Sequence, residues 1–160
     1  MLNLLHEAER ELPALLVDGG WQSLKVDYHP PFVDRVWRPW RDCRLSLHRI
    51  HPCDEALFHP HPWPSAMRIH QGTYEMGVGW GRGETAPPMA ARIIASGPME
   101  YEMVDPDAWH YVRPIGGPAM TVMLSGQPSG RWSPRSEKPL SPLDAREVAE
   151  LLEYFRGVYR

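Results

Sequence analysis

Hydrophobic positions recur with two different periods along the chain, and the changes of period divide it into three parts. In residues 2–16 the apolar side chains recur at helical spacing, so an amphipathic helix is predicted there, kinked or ended by Pro13. From Trp21 onward apolar and polar residues alternate, which is typical of strands with one buried face. Helical spacing returns near the C-terminus, where Ser141 is the predicted N-cap.

The alternating region predicts a series of short strands. They cover residues 21–28, 32–37, 43–50, 66–71, 73–80, 90–95, 99–104, 109–113 and 120–124. In the third of these, Leu45 and Leu47 face one side and His48 faces the other. Gly72 is expected to be the turn of a hairpin between the fourth and fifth strands. Short strands separated by many turns favour a β-sandwich or barrel, with the two helices packed outside it.

Composition and charge exclude several functional classes. The 160 residues fit one domain, with a helical segment at 1–20, a β-barrel at 21–132 and a linker and helix at 133–160. The net charge is −3 and no run of basic residues is present, so neither nucleic acid nor an anionic membrane is an expected partner. Nor does any 18-residue apolar run predict a membrane span. Cys43 and Cys53 are expected to be free thiols of a cytoplasmic protein.

The most informative motif lies between Phe58 and Gly72. His59 and His61 are separated by one residue, so in a strand both imidazoles point to the same face. Two imidazoles on one face of a curved strand can converge on a metal ion, and neutral imidazole suits Zn, Cu, Fe and Ni. The alternative is a rigid surface loop, because each proline of this segment fixes its own backbone and extends the residue before it.

This segment resembles the first motif of the cupin superfamily. That motif reads His-x-His, three or four residues, Glu, six residues, Gly, and His59, His61 and Gly72 fall on it with a spacer of three. Ser65 occupies the position of the glutamate. The resemblance covers about residues 43–132 and is nearest to small bacterial cupins. It implies an all-β fold, a double-stranded β-helix or jelly roll with the short terminal helices outside, and it implies no substrate.

The same resemblance implies a third histidine ligand on a later strand. The family pattern is Pro-x-Gly, two residues, His, and the chain offers Pro106, then Ala108 in place of the glycine, then His110 after a spacing one residue short. His110 is therefore the expected third metal ligand, and a partly buried strand histidine is the alternative.

Four further residues are candidates for the site. Glu75 is a possible fourth ligand or base, against the alternative of a solvated strand glutamate. Ser65 is too short to replace a carboxylate ligand, but its hydroxyl could hold a metal-bound water. Trp63 and Trp109 flank the candidate ligands and are expected to wall a pocket.

The predicted function is that of a mononuclear metal-dependent enzyme. Without the glutamate, the set resembles the three-His iron sites of thiol, diketone and gentisate dioxygenases. Fe(II) is favoured as cofactor, with Zn or Ni also compatible with the ligand type. Three neutral ligands leave the ion its full +2 charge, which favours a small anionic substrate. The alternatives are a non-catalytic ligand-binding or sensing cupin and a metal-free isomerase or epimerase with a histidine base. A homodimer is expected, with residues 21–37 at its interface.

Overall fold

The computed structural model describes residues 1–160 and contains two helices that flank a set of eight strands. The helices are α1 (Leu2–Asp18) and α2 (Ala145–Val158). The first four strands are β1 (Gln22–Val26), β2 (Val33–Trp40), β3 (Cys43–Ile50) and β4 (His59–Pro60). The last four are β5 (Ser65–Trp80), β6 (Ala91–Ser96), β7 (Met99–Met103) and β8 (Ala108–Ser125).

All strand pairs are antiparallel, and two long strands hold the sheet together. The order is β1-β2-β3-β8-β5-β6, and β4 pairs with β8 while β7 pairs with β5. Strands β5 and β8 pair along nearly their full lengths, 16 and 18 residues. The first half of β5 also pairs with β7 and the second half with β6. The sheet therefore wraps around a common interior.

The predicted hairpin turn at Gly72 is wrong. Strand β5 runs straight through this residue, and its register against β8 shifts on either side of Gln71, which is a bulge. Gly72 has φ +90°, and a Cβ there would lie 2.7 Å from the carbonyl oxygen of Pro118. A glycine in this pattern marks a bulge at a close backbone approach. The strands predicted at 109–113 and 120–124 are likewise two parts of β8.

The main hydrophobic core lies between the helices and the outer face of β2, β3 and β8. From the sheet it takes Val36, Leu45, Leu47, Val122 and Leu124, all fully buried. From the helices it takes Leu5, Ala8, Leu12, Leu16, Leu151 and Phe155. The prediction that both helices pack outside the strands is confirmed.

Both helix boundaries differ slightly from those expected. Helix α1 is not ended by Pro13 but continues to Asp18, and it buries Leu16. Helix α2 begins after Asp144, whose carboxylate accepts a hydrogen bond from the backbone of Glu147 in a capping box, so Ser141 is not the cap. Neither helix combines the length and the apolar character needed to cross a bilayer.

The inner face of the same three strands is polar. Arg35 on β2 lies opposite His48 on β3, and His48 lies opposite Thr121 on β8. Ser46 and Ser125 are also buried on this face. Since neighbouring residues of a strand point to opposite faces, the outer apolar positions and these inner polar positions interleave along each strand. The inner face borders the cavity that holds the candidate site.

Candidate active site

The three predicted metal ligands meet at a cavity of about 270 Å³. The ring of His110 lies 4.9 Å from that of His59 and 4.8 Å from that of His61, centroid to centroid. Strand β4 produces this contact, because it pairs His59 with His110, and the backbone N–H of His61 then donates to Ala108 at 3.2 Å. Two imidazoles on one ion have centroids roughly 4.5–5.2 Å apart when each metal–nitrogen bond is about 2.1 Å.

The distances between the rings are those of imidazoles that share a metal ion, whereas the complete arrangement of potential donor atoms is not that of a metal site. Both contacts of His110 have the spacing of a shared ion, yet no group of three His, Cys, Asp or Glu is arranged to hold a metal. A metal site needs all its donors to converge on one point, which is a stricter condition than pairwise spacing. The structure therefore gathers the predicted ligands at one cavity without bringing their nitrogens into a complete coordination geometry.

Hydrogen bonds fix the tautomers of two of these histidines. His59 Nδ1 lies 2.8 Å from the carbonyl oxygen of Leu57, and His61 Nδ1 lies 2.8 Å from that of Trp63. A carbonyl only accepts, so each Nδ1 carries the proton and donates it. Each Nε2 keeps its lone pair, and a carbonyl partner of this kind is the usual support of a metal-binding histidine.

Burial keeps the cluster neutral. It lowers the pKa of His59 and of His61 to about 4, and neighbouring histidines add a smaller effect in the same direction at His61. It also lowers the pKa of His110 well below its usual value. His110 Nδ1 is buried and has no hydrogen-bond partner. Neutral imidazoles with free lone pairs, together with one unpartnered nitrogen, are a donor set that fits a divalent ion.

A fourth histidine faces the same cavity, and the sequence pattern did not indicate it. His29 lies between β1 and β2, with its ring 5.3 Å from that of His59. Its Nδ1 lies 3.2 Å from the carbonyl oxygen of Pro30, which again leaves Nε2 free. The two prolines after it indicated only a corner, and the pairing of β1 with β2 is what brings that corner to the cavity.

An arginine also lines this cavity, and it too was missed from the sequence. Arg35 Nε donates to Nε2 of His48 at 2.9 Å, so His48 Nδ1 carries the proton and lies 3.3 Å from Oγ1 of Thr121. Burial, then repulsion from Arg44, lowers the pKa of Arg35 to about 10, which leaves it charged at neutral pH. Burial lowers the pKa of His48 well below its usual value, and the charge of Arg35 acts in the same direction.

The cavity wall is unusual in its charge. Its lining includes five histidines and two arginines, and no aspartate or glutamate. The histidines are His29, His48, His59, His61 and His110, and the arginines are Arg35 and Arg44. The remaining wall is mostly apolar, so the positive charge of the half-buried Arg35 is poorly screened, whereas Arg44 is exposed to solvent.

Two of the other predicted residues lie close to the cluster. Trp63 lines the cavity, and its indole N–H is buried without a partner. Ser65 is buried at the start of β5, and its Oγ lies 3.5 Å from Nδ1 of His61. This is the ring nitrogen that faces the Trp63 carbonyl, so the serine hydroxyl lies beside the ligand and away from its free lone pair.

The structure does not bring Glu75 to the histidines. Glu75 accepts a hydrogen bond from the hydroxyl of Tyr111 at 2.6 Å and lies 3.4 Å from a terminal nitrogen of Arg113. The hydrogen bond from Tyr111 is the main cause that lowers its pKa. On β8, His110 and Val112 face the cavity, so Tyr111 and Arg113, with Glu75 across from them, face the other side.

Trp109 likewise lies outside the cavity lining. Its ring packs 5.7 Å from that of Phe58, and its indole N–H donates to the carbonyl oxygen of Gly81 at 2.9 Å. Trp109 is adjacent to the predicted ligand His110 on β8. Because neighbouring residues of a strand point to opposite faces, Trp109 points away from the cavity, as Tyr111 does.

Comparison with known proteins identifies the fold. No protein-family model matches the chain, and no curated protein matches it in sequence. A solved structure of Fe(II) HppE is 16% identical, with a TM-score of 0.51 over 66% of this chain and 56% of that one. AerE from Microcystis aeruginosa is 16% identical, with a TM-score of 0.50 over 78% and 52%. KdgF from Halomonas sp. is 12% identical, with a TM-score of 0.49 over 71% and 93%.

The likenesses to HppE and AerE show the fold and nothing finer. The chain is an all-β protein with a cupin-type jelly roll and two short helices outside it, as the sequence predicted. It spans about half the length of the HppE and AerE structures that it matches.

Proposed function

We propose that the chain is a mononuclear metal-dependent enzyme that acts on a small anionic substrate, with His59, His61 and His110 as the protein ligands. The observation that supports this most strongly is the position of His110, whose ring lies 4.8–4.9 Å from the rings of both other histidines at the cavity wall. All three imidazoles are neutral. The buried Nδ1 of His110 has no hydrogen-bond partner, and either a hydrogen bond or a metal ion would satisfy it.

The reaction class that we propose is that of the three-His non-haem iron dioxygenases. No carboxylate faces the cavity, so a bound divalent ion would keep its full +2 charge. Fe(II) is favoured because the three-His set resembles that of these dioxygenases, and Zn or Ni would suit the same nitrogen ligands. An ion held by these three histidines would supply Lewis acidity and, if it is iron, redox chemistry with O₂.

The residues of the chain would prepare the site in three ways. The carbonyl oxygens of Leu57 and Trp63 hold two imidazoles in the tautomer that presents Nε2. Apolar side chains such as Ile50 and Met67 line the cavity and limit water around the reacting groups. The charge of Arg35 favours entry of an anion.

One observation favours a second function, that of a metal-free binding or sensing protein. No group of three potential ligands is arranged to hold an ion, whereas the cavity itself is formed. In this alternative the histidines would contact a small ligand directly. The isomerase or epimerase variant would use one neutral imidazole as the base.

Metal analysis of protein purified without a histidine tag distinguishes the two functions. We expect about one equivalent of metal in the wild type, and much less in His59→Ala, His61→Ala and His110→Ala. His6→Ala is the matched control, because His6 pairs with Glu100 away from the cavity and should keep wild-type metal content. O₂ uptake with thiols, diketones and aromatic acids then tests the reaction class.

The measured metal contents distinguish the metal-dependent enzyme from the metal-free binding protein. Wild-type metal content in all three alanine variants would contradict the ligand assignment, and a metal-free wild type would support the binding protein. If only His110→Ala keeps its metal, His29 becomes the first candidate for the third ligand, since Glu75 faces away from the cavity.

We also propose a cytoplasmic homodimer. Phe32, between β1 and β2, is 52% exposed, and Tyr28 beside it is 39% exposed, so residues 21–37 offer apolar surface for a symmetric contact. Light scattering at high micromolar concentration tests it, and a monomer under those conditions would contradict it.

A further inference from the structure

Two arginines of the cavity lack a carboxylate partner. Arg35 and Arg44 both line it, and neither takes part in any ion pair of the structure. Eight other arginines do pair with carboxylates: Arg38, Arg41, Arg49, Arg68, Arg82, Arg113, Arg146 and Arg156. Five arginines away from the cavity also form no ion pair: Arg10, Arg92, Arg131, Arg135 and Arg160. Arg35 differs from these because it lines a cavity whose wall holds no carboxylate.

Such an arrangement is unfavourable in the protein alone. Withdrawing a charge from water costs free energy unless an opposite charge or hydrogen bonds replace the water, and a guanidinium stays protonated. Arg44 adds repulsion, since its charge lowers the pKa of Arg35. The cost of lost hydration falls on Arg35, which is half-buried, because Arg44 is exposed to solvent. An anion beside Arg35 would relieve this cost and the repulsion from Arg44.

The hydrogen bonds of Arg35 leave the binding edge of its guanidinium free. Its Nε donates to Nε2 of His48, which is itself positioned by Thr121. The two terminal nitrogens form no hydrogen bond in the structure, and Arg35 is one of the residues that line the cavity. A guanidinium held by Nε presents its terminal N–H groups in the fork that binds two oxygens of one oxyanion. Arg44 is held 4.3 Å over the ring of Trp37, which fixes the second charge nearby.

The histidine cluster lies at the same cavity. His59, His61 and His110 line it together with Arg35, and the charge of Arg35 acts on His61 by lowering its pKa. The volume of about 270 Å³ corresponds to roughly nine water molecules in the liquid at ~30 Å³ each. A ligand of this size that reaches both groups has an oxyanion at one end and its reacting part at the other.

We propose that Arg35 binds an oxyanion group of the substrate, a carboxylate or a phosphate-type group, with Arg44 supplying a second positive charge. The term substrate rests on the proposed function, whereas the anion site itself does not depend on a metal. Arg35 is then the residue that selects anionic ligands. It binds the oxyanion end of the ligand, and the other end faces His59, His61 and His110.

Isothermal titration with acetate and with inorganic phosphate tests the site. Each anion is titrated into protein as purified and into protein dialysed against EDTA, and metal content is measured on the same samples. The variants are Arg35→Gln, Arg35→Lys and, as a control for the loss of one charge, Arg10→Gln, because Arg10 is exposed and away from the cavity. Thermal unfolding checks that each variant is folded.

We expect the wild type and Arg10→Gln to bind at least one anion equally well, with or without EDTA. Arg35→Gln should bind at least about ten-fold more weakly, because it loses charged hydrogen bonds to the anion. Arg35→Lys should be intermediate, since a lysine keeps the charge and loses the fork. If Arg35→Gln does not fold, a weakened Arg35→Lys still supports the site, and unchanged affinity in that variant overturns it.

The results also separate this proposal from the metal enzyme. If neither anion binds the wild type, or if Arg35→Gln binds as tightly as the wild type, the anion site is wrong. Binding that EDTA abolishes and Arg35→Gln leaves unchanged would assign the anion to the metal, which supports the enzyme and overturns this site. Arg35-dependent binding by a protein that contains no metal as purified would support this site and contradict the metal enzyme.

Discussion

The two faces of strands β2, β3 and β8 are chemically opposite. The outer face carries Val36, Leu45, Leu47, Val122 and Leu124, and both helices pack on it as the main core. The inner face carries Arg35, Ser46, His48, Thr121 and Ser125, and it borders the cavity with the histidine cluster. In most small β-proteins the inside of the sheet is the apolar core. Here the larger of two apolar clusters lies outside the sheet, under the helices, and the smaller one includes Ile50 at the cavity. Part of the barrel interior is therefore available for polar groups and a ligand.

The comparison predicts that stability depends mainly on the outer face and ligand binding on the inner face. Each strand contributes residues to both faces, since its side chains alternate between the two environments. Substitutions at adjacent positions of one strand should therefore have separable effects, and the predictions below test this from the largest expected effect to the smallest.

The largest effect is expected on the outer face. Leu47→Ala removes a fully buried side chain of the main core, and the free energy of unfolding should fall by about 2–5 kcal/mol in denaturant titrations. Ile94→Ala is the control, because Ile94 is 60% exposed and should change stability by less than about 0.5 kcal/mol. Anion affinity of the folded Leu47→Ala variant should be unchanged. A loss of affinity would mean that the two faces are not independent.

The next effect is a pH dependence that arises on the inner side. The pKa of His61 is about 4 in the folded protein against an ordinary value of 6.5, so between these values the unfolded chain binds more protons. Stability is then complete above about pH 6.5 and falls as the pH decreases toward 4, by about 3 kcal/mol for one such group. His61→Gln should flatten this slope when both proteins are unfolded in EDTA. An identical slope in the two proteins would contradict the assignment.

A smaller effect is expected from restoring the carboxylate of the cupin motif. Ser65→Glu places an acid beside His61, and metal affinity should rise about ten-fold by chelator competition, while anion binding and any turnover should fall. The reason is that a carboxylate would reduce the charge of the ion and occupy the place of the substrate. Ser65→Ala is the control and should leave metal affinity unchanged. Equal affinities in the two variants would show that position 65 does not reach the metal.

The smallest effect distinguishes two hydroxyl groups of the inner face. The Ser46 hydroxyl is buried without a partner, so Ser46→Ala should leave the free energy of unfolding unchanged or raise it by up to about 1 kcal/mol. Thr121→Ala removes the partner of His48 and should lower it by about 1 kcal/mol. Denaturant titrations measure both. Destabilisation by Ser46→Ala would indicate that its hydroxyl has an important partner, such as a buried water.

Spacing along the chain was sufficient for the broad fold and for the selection of three histidines that lie at one cavity. Period-two alternation predicted the strands and the opposite directions of Leu47 and His48, because alternation is a local property of any strand. The cupin-like motif indicated His59, His61 and His110, which the structure gathers at one cavity. Glu75 and Trp109 were also candidates from the sequence, but the structure directs them elsewhere. Trp109 is adjacent to His110 on β8, so alternation alone places it on the other face, whereas the position of Glu75 depends on the register between β5 and β8.

The sequence by itself determined which residues alternate, where the helices form, and that imidazoles without a nearby carboxylate are grouped in one segment. Only the tertiary structure decided that β4 pairs with β8, that His29 reaches the cavity, and that Arg35 lies there without a counter-ion. The physical reason is that a local pattern fixes the direction of a side chain relative to its own backbone. Its neighbours across the cavity depend on strand order and register, which are set by contacts between residues far apart in the chain.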